Sequence, residues 1–307
     1  MTTYLLLGAN GFLGSQIHGA LEQGAEPDRV VAVSGHPPRR PTGATTTWQE
    51  MDLVSSTVRD YDALLQSSRP DVVINCVGCT SGSPDQLEAV NVQVVHKLVQ
   101  ALSRYDPVAF IHMGSAAEYG QQPEGIPIKE TAPARPCGPY GRTKLEGTEL
   151  VTDHVAKGDI RATVLRVFNP VGPGSPATSL AGTAVRELER ALVTRQTSIT
   201  LGSLWPHRDF LATTDVVTAA LGVVRSSETH PVLNVGRGVA MSCRSMVELL
   251  ADAAGFEGDV FESSGGSQRS AAVPWQQANI GLLRRHLQWV PTTSIAEAVA
   301  ALWQSGR

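Results

Sequence analysis

No stretch of this chain stays apolar for long enough to cross a bilayer, and no lysine- or arginine-rich tract marks a surface for nucleic acid. The 25 basic and 29 acidic side chains leave a formal net charge of −4, so a polyanionic partner has no electrostatic rationale. Neither a membrane nor a nucleic-acid partner is expected. Cysteine is scarce, with four residues (Cys76, Cys79, Cys137 and Cys243) scattered along the chain. Cys76 and Cys79 form a single Cys-x-x-Cys, but no second ligand pair accompanies it. It falls at the end of a buried strand rather than at the start of a helix, so it reads as packing and no metal is expected. The Tyr4–Leu7 run is too short for a secretory leader, lacks a basic lead-in and runs straight into a glycine turn. Internal repeats and low-complexity tracts are missing as well. A cytoplasmic protein with reduced thiols is the expectation, and 307 residues at 42% hydrophobic content supply ample core for more than one domain-sized unit.

The N-terminus carries the first positive signal. Tyr4-Leu5-Leu6-Leu7 is continuously apolar, as a strand buried on both faces of a parallel sheet requires. Gly8, Gly11 and Gly14 follow at once, and Leu13, Ile17 and Leu21 then recur at helical spacing. Strand, glycine turn and helix in that order form a dinucleotide site, because the glycines admit the pyrophosphate to the backbone at the helix N-terminus.

After the second strand, Val30–Val33, an NAD enzyme places an acid that holds the ribose 2′-hydroxyl. Here Ser34 is followed by Arg39 and Arg40, with no acid between. A hydroxyl and guanidinium groups suit a 2′-phosphate, so NADP(H) is favoured and NAD(H) stays open. A third strand ends at Asp52-Leu53, where the acid is a candidate adenine contact. The fourth, Asp71–Asn75, closes on Cys76-Val77-Gly78, and the fifth, Val108–Met113, leads into Gly114-Ser115-Ala116-Ala117. Ligands in open α/β sheets lie beyond the carboxyl ends of the strands, which places Ser115 where its hydroxyl could meet a substrate oxygen.

The chemical centre is Pro139-Tyr140-Gly141-Arg142-Thr143-Lys144, opening a helix marked by Leu145, Thr148, Val151 and Val155. Residues four apart share a helix face, so Tyr140 and Lys144 stack. An adjacent ammonium favours the phenolate, which equips a tyrosine for proton transfer near neutral pH.

These motifs resemble the extended short-chain dehydrogenase/reductase superfamily, in its NAD(P)-dependent epimerase/dehydratase branch. The resemblance runs nearly end to end, continuing through Val90-Asn91-Val92, Arg166–Gly174, Arg208-Asp209-Phe210, Asn234-Val235-Gly236 and Arg269…Pro274. It implies a Rossmann-like doubly wound parallel sheet with a smaller C-terminal substrate lobe. It implies Tyr140 as the acid/base, Lys144 as its partner and ribose ligand, and Ser115 on the reacting sugar oxygen. The cofactor would be held by Gly8, Asn10, Gly11, Phe12, Leu13 and Gly14, then by Ser34, Arg39, Arg40, Asp52 and Leu53. Further along, Cys76, Val77, Gly78, Asn91, Phe168 and Val171 complete its implied contacts. Ala116, Ala117 and Asn169 would line the sugar, and Arg208 and Arg269 would clamp the diphosphate of a nucleotide sugar.

Sugar-nucleotide dehydratases carry acids directly after the serine, where this chain has Ala116 and Ala117. Glu118 is one step beyond, and on an extended segment it points elsewhere. Two reactions remain. The favoured one is a ketoreductase acting on an NDP-4-keto-6-deoxysugar, since Arg166–Gly174 and Leu201–Leu211 most resemble GDP-4-keto-6-deoxymannose reductases. The other is an NDP-sugar epimerase with tightly bound NAD. A non-catalytic NADP-binding module is the reading from a different class, and the intact Ser115/Tyr140/Lys144 set argues against it.

The expected nucleotide-binding domain spans 1–168 with 201–226 returning to it, and the substrate lobe spans 169–200 and 227–307. Leu87, Val90, Val94, Val95, Leu98, Ala101 and Leu102 stripe one long helix. The resemblance implies a homodimer through helices 85–103 and 140–156. Trp275 and Ala272 depart from the residues usual in the family and leave the nucleotide base open.

Overall fold

A computed structural model describes residues 1–24, 28–38, 41–105, 108–226, 228–263 and 273–306. The chain begins with strand β1 (Thr3–Leu7), helix α1 (Phe12–Glu22), and strands β2 (Arg29–Ser34) and β3 (Thr46–Glu50). Next come α2 (Val58–Ser68), β4 (Val72–Asn75), α3 (Pro84–Glu88), α4 (Val94–Leu102) and β5 (Ala109–Ser115). Helix α5 (Pro139–Lys157) leads to β6 (Arg161–Val167), β7 (Pro170–Val171), α6 (Leu180–Thr194) and β8 (Ser198–Leu201). The short strands β9 (His207–Arg208) and β10 (Leu211–Ala212) precede α7 (Thr213–Arg225), β11 (Val232–Val235) and β12 (Met241–Ser242). Helix α8 (Cys243–Ala254), strand β13 (Asp259–Glu262), α9 (Gly281–Leu287) and α10 (Ile295–Ser305) complete the described elements.

Seven strands form one sheet in the order β11-β6-β5-β4-β1-β2-β3. The pairings that join β3, β2, β1, β4 and β5 are all parallel. This is the Rossmann-like α/β arrangement, and the order reverses beside β1, where a nucleotide sits in such folds.

Two compact units divide the chain. The first comprises Met1–Glu118, Pro139–Arg166 and Val217–Leu233, and the second comprises Tyr119–Gly138, Val167–Val216 and Asn234–Arg307. The segment returning to the first unit is therefore Val217–Leu233, not 201–226. The reason is non-local pairing. β8 pairs in parallel with β13, and Leu201, Leu204, Phe210 and Ala212 pack into the second unit's core with α6, α8 and α10. Tyr119–Gly138 likewise joins the second unit, where the Ile128 amide donates to the Gln277 carbonyl and Glu130 accepts from the Asn234 amide.

The first unit's core gathers Leu5, Leu7, Val31, Val33 and Val73 from the sheet against Leu64, Leu65, Val95, Leu98, Val99 and Val151 from helices. Helix starts follow capping chemistry: Thr57 with Asp60 at α2, and Ser83 with Gln86 at α3, each form a reciprocal box. The stripe expected along one continuous helix is interrupted, because Ala89–Gln93 forms a π-turn between α3 and α4. The wider turn rotates the face, so Val90 is only half-buried while Asn91 is fully enclosed. Val94, Val95, Leu98, Ala101 and Leu102 are consumed in the unit's own core. The stripe thus needs no second copy to cover it. No helix among the described residues is long and apolar enough to cross a membrane.

Candidate active site

The turn after β1 is shaped for close approach of backbone to backbone. Gly8 has φ +78°, and a Cβ on it would stand 2.9 Å from the Val77 nitrogen. A Cβ on Gly14 would lie 2.1 Å from the Gly8 carbonyl oxygen, so α1 can begin this close to the turn only with glycine there. The Gly11 amide closes the turn onto the Gly8 carbonyl at 2.9 Å. No side chain caps the first amides of α1. The half-buried Phe12 and Leu13 open that helix. Asn10 braces the neighbouring loop, its amide donating to the carbonyls of Pro37 (2.8 Å) and His36 (3.1 Å) and to the Ser34 hydroxyl (3.3 Å). Ser34 is buried at the end of β2. Arg39 and Arg40 lie outside the described residues.

Around this cradle, Asp52 is committed to its own turn. The Ser55 hydroxyl (2.8 Å) and the Val54 amide (3.0 Å) donate to its carboxylate and hold it below the usual range. The carbonyl of buried Leu53 accepts from the Tyr61 hydroxyl at 2.7 Å. Beyond β4, the Cys76 amide donates to the Leu7 carbonyl at 2.9 Å and the Val77 amide to Asn75 Oδ1 at 3.0 Å. Burial pushes the Cys76 thiol up to about 12, which keeps it neutral and unreactive. Asn91 holds the strand just past Gly78, accepting from the Cys79 amide and donating to the Cys79 carbonyl, both at 2.9 Å.

The proposed chemistry lies at the end of β5. Lys144 enters from α5, is 3% exposed, and donates from Nζ to the Met113 carbonyl at 2.5 Å. Two residues on, half-buried Ser115 accepts the Ala117 amide on its Oγ at 3.2 Å, so its own proton is free to be donated. Half-buried Tyr140 stands one helical turn before Lys144. Burial pulls the Lys144 ammonium down to about 8, opposed by the charge of Glu118 and then by Cys76. His112 is enclosed nearby, with Nδ1 3.2 Å from the Asn75 amide nitrogen, and burial drives it well below the imidazole range.

Ala116–Glu118 is a 3-10 turn, so the condition under which Glu118 would point elsewhere, an extended segment, is not met. Ala116 is buried and Ala117 half-buried, while Glu118 folds back beneath the serine. Its Oε1 accepts the Ser115 amide and its Oε2 accepts Arg166 Nε, both at 2.7 Å. Gly114 permits this return, since a Cβ there would stand 2.9 Å from Glu118 Oε1. The sequence reading weighs Glu118 only as a dehydratase acid and gives Arg166 no role of its own. The available signal was an acid and a base flanking strand ends in otherwise apolar surroundings.

In the second unit, Asn169 donates from Nδ2 to the Asp209 carbonyl at 3.1 Å and stands 3.3 Å from Gln276 Oε1. Arg208 is 8% exposed on β9, with Nη1 on the His207 carbonyl at 2.8 Å. The Asp209 carboxylate accepts the amides of Arg237 (2.7 Å), Gly238 (2.9 Å) and Ala278 (2.9 Å). The Phe168 and Val171 side chains are buried in this unit, which leaves their backbone as the part a ligand could meet. Arg269 lies outside the described residues.

Residues 4–236 match the model of the NAD dependent epimerase/dehydratase family. The chain belongs to that family. It is 34% identical over 303 residues to a dTDP-6-deoxy-L-talose 4-dehydrogenase (NAD(P)(+)) of Kitasatospora kifunensis, covering 97% of this chain and 93% of the relative. A GDP-6-deoxy-D-mannose reductase of Pseudomonas aeruginosa is 29% identical over 247 residues, covering 77% of this chain and 81% of the relative. Among solved structures, that of RMD from Pseudomonas aeruginosa complexed with NADPH superposes with a TM-score of 0.84 at 24% identity, covering 99% of this chain and 98% of that one. The protein is an NAD(P)-dependent enzyme of the oxidoreductase or epimerase type.

Proposed function

We propose that the enzyme interconverts the C4 ketone and alcohol of a nucleotide-diphosphate 6-deoxyhexose, working as a ketoreductase with NADPH preferred over NADH. The observation that carries this reading is the end of β5, where Lys144 is anchored on Met113 two residues before a serine with a proton to give. Relatives that act on dTDP- and GDP-linked 6-deoxysugars support the substrate class. Ala116 and Ala117, where an elimination would need acids, speak against dehydration. The preference for NADPH rests on Ser34 and the lack of an acid after β2.

The glycine cradle fits a dinucleotide, because Gly8, Gly11 and Gly14 remove the side chains that would occupy the approach. When bound, the nicotinamide supplies the hydride that the ketone carbon requires. Ser115 donates its hydroxyl proton in a hydrogen bond to the ketone oxygen and fixes its position. Tyr140 transfers its phenolic proton to that oxygen as negative charge develops there. Lys144, held against Met113, stabilises the phenolate left behind.

The test is to purify the protein without added cofactor, denature it, and assay the supernatant. The reading expects little bound NAD, and NADPH binding tighter than NADH by the emptied protein. Stoichiometric NAD in the supernatant would overturn it in favour of an epimerase.

A further inference from the structure

Glu118 has no solvent exposure, and its partner Arg166 is 6% exposed. A carboxylate so enclosed stays ionised only when its charge is answered on the spot. Here both oxygens are used, one on the Ser115 amide and one on Arg166 Nε. The 3-10 turn is thereby closed twice, by Glu118 on the Ser115 amide and by Ser115 Oγ on the Ala117 amide. Arg166 arrives from β6, a non-local partner that locks the carboxylate in place.

The carboxylate sits on the Ser115 amide, two residues past the Met113 carbonyl that holds Lys144 Nζ. Burial raises the Glu118 carboxyl, and the charges of Arg166 and then Lys144 oppose that rise. Charged and titratable groups reach that ammonium from every element packed around it. The end of β4 contributes Cys76, kept neutral by burial, and β5 contributes His112, also neutral for the same reason. β6 contributes Arg166, bonded to Glu118, and α5 itself contributes Tyr140. Glu118 is the one anion in this set. We propose that Glu118 is a positioning residue of the reaction above: locked by Arg166, it sets the turn that presents Ser115 and supplies the negative charge that keeps Lys144 an ammonium at neutral pH. The inference rests on the assignment of Ser115, Tyr140 and Lys144 to ketone reduction.

The chain has four lysines, Lys97, Lys129, Lys144 and Lys157, so isotope-labelled lysine gives four side-chain NMR signals to titrate. Lys144→Met identifies the one that matters. Glu118→Gln is expected to lower the Lys144 midpoint by about one pH unit or more. The alkaline limb of the reductase pH profile should move with it, while NADPH binding well below both midpoints is unchanged. Glu118→Gln removes the anion that Arg166 Nε bonds and so threatens the fold. The double variant E118Q/R166Q removes both charges together; loss of the Arg166 cation opposes the shift, so the midpoint should fall in the same direction by a smaller amount.

A Lys144 midpoint that stays in place in either folded variant overturns the proposal. The titration needs no sugar, which separates the two levels of the account. Ketone reduction by the wild type with an unmoved Lys144 defeats the role of Glu118 alone. A moved Lys144 with no reduction of any NDP-4-keto-6-deoxysugar defeats the reaction that role serves.

Discussion

The amide of Asn91 donates to the Thr143 hydroxyl at 3.0 Å, tying the π-turn between α3 and α4 to the helix that carries Tyr140 and Lys144. The same side chain satisfies both the amide and the carbonyl of Cys79. Asn91→Ala would leave two partly buried backbone groups without their partner, at a cost of about 1–3 kcal/mol for each group left unsatisfied. A Tm lower than wild type by several degrees is expected in a thermal melt, and an unchanged Tm would remove Asn91 from its bracing role.

Gly14→Ala tests the cradle. The new Cβ would sit 2.1 Å from the Gly8 carbonyl oxygen, so α1 must retreat from the turn. NADPH affinity, read by quenching or enhancement of its fluorescence, should weaken by about tenfold or more, equivalent to about 1.4 kcal/mol. Equal affinity would show that the turn does not touch the cofactor.

Much of this was legible in the chain because it is local. A continuous apolar strand, three glycines and a helical repeat stand within Tyr4–Leu21, and Tyr140 and Lys144 are one helical turn apart. What escaped depends on distant partners. Glu118 points inward because Arg166, 48 residues away, receives it and Gly114 makes room. The unit boundary moved because β8 pairs with β13, a strand separated from it in sequence by α7 and α8. Periodicity treated Leu87–Leu102 as one regular helix, and an inserted π-turn leaves no mark on a hydrophobic repeat.

Asp209 gives the second unit a pH dependence. Burial pushes its carboxyl from 3.8 up to about 6, although three backbone amides hold the ionised form. The folded state therefore keeps a proton that the unfolded chain has released between these two values. The contribution is fully present below pH 3.8 and is lost as pH rises through about 6, by on the order of 3 kcal/mol. Asp209→Asn should be less stable at low pH, since its NH2 cannot accept from the Arg237, Gly238 and Ala278 amides. The gap from wild type should narrow between pH 4 and pH 6 in denaturant melts. A gap that does not vary with pH would contradict the assignment.

Tyr140→Phe separates chemistry from binding. Removing the phenolic proton should lower kcat by about 100- to 10,000-fold, and NADPH affinity should change little. Retained turnover would exclude Tyr140 as the acid.

The central claim is that hydride passes from added cofactor to the sugar ketone. Enzyme purified without added cofactor, incubated with dTDP-4-keto-6-deoxyhexose and NADPH deuterated at the transferable position, answers it, with the product read by NMR. The account predicts deuterium at the sugar C4 in stoichiometric yield with the wild type and almost none with Tyr140→Phe. A product altered at C4 that carries no deuterium would mean the hydride came from a retained cofactor, and ketone reduction would give way to epimerisation.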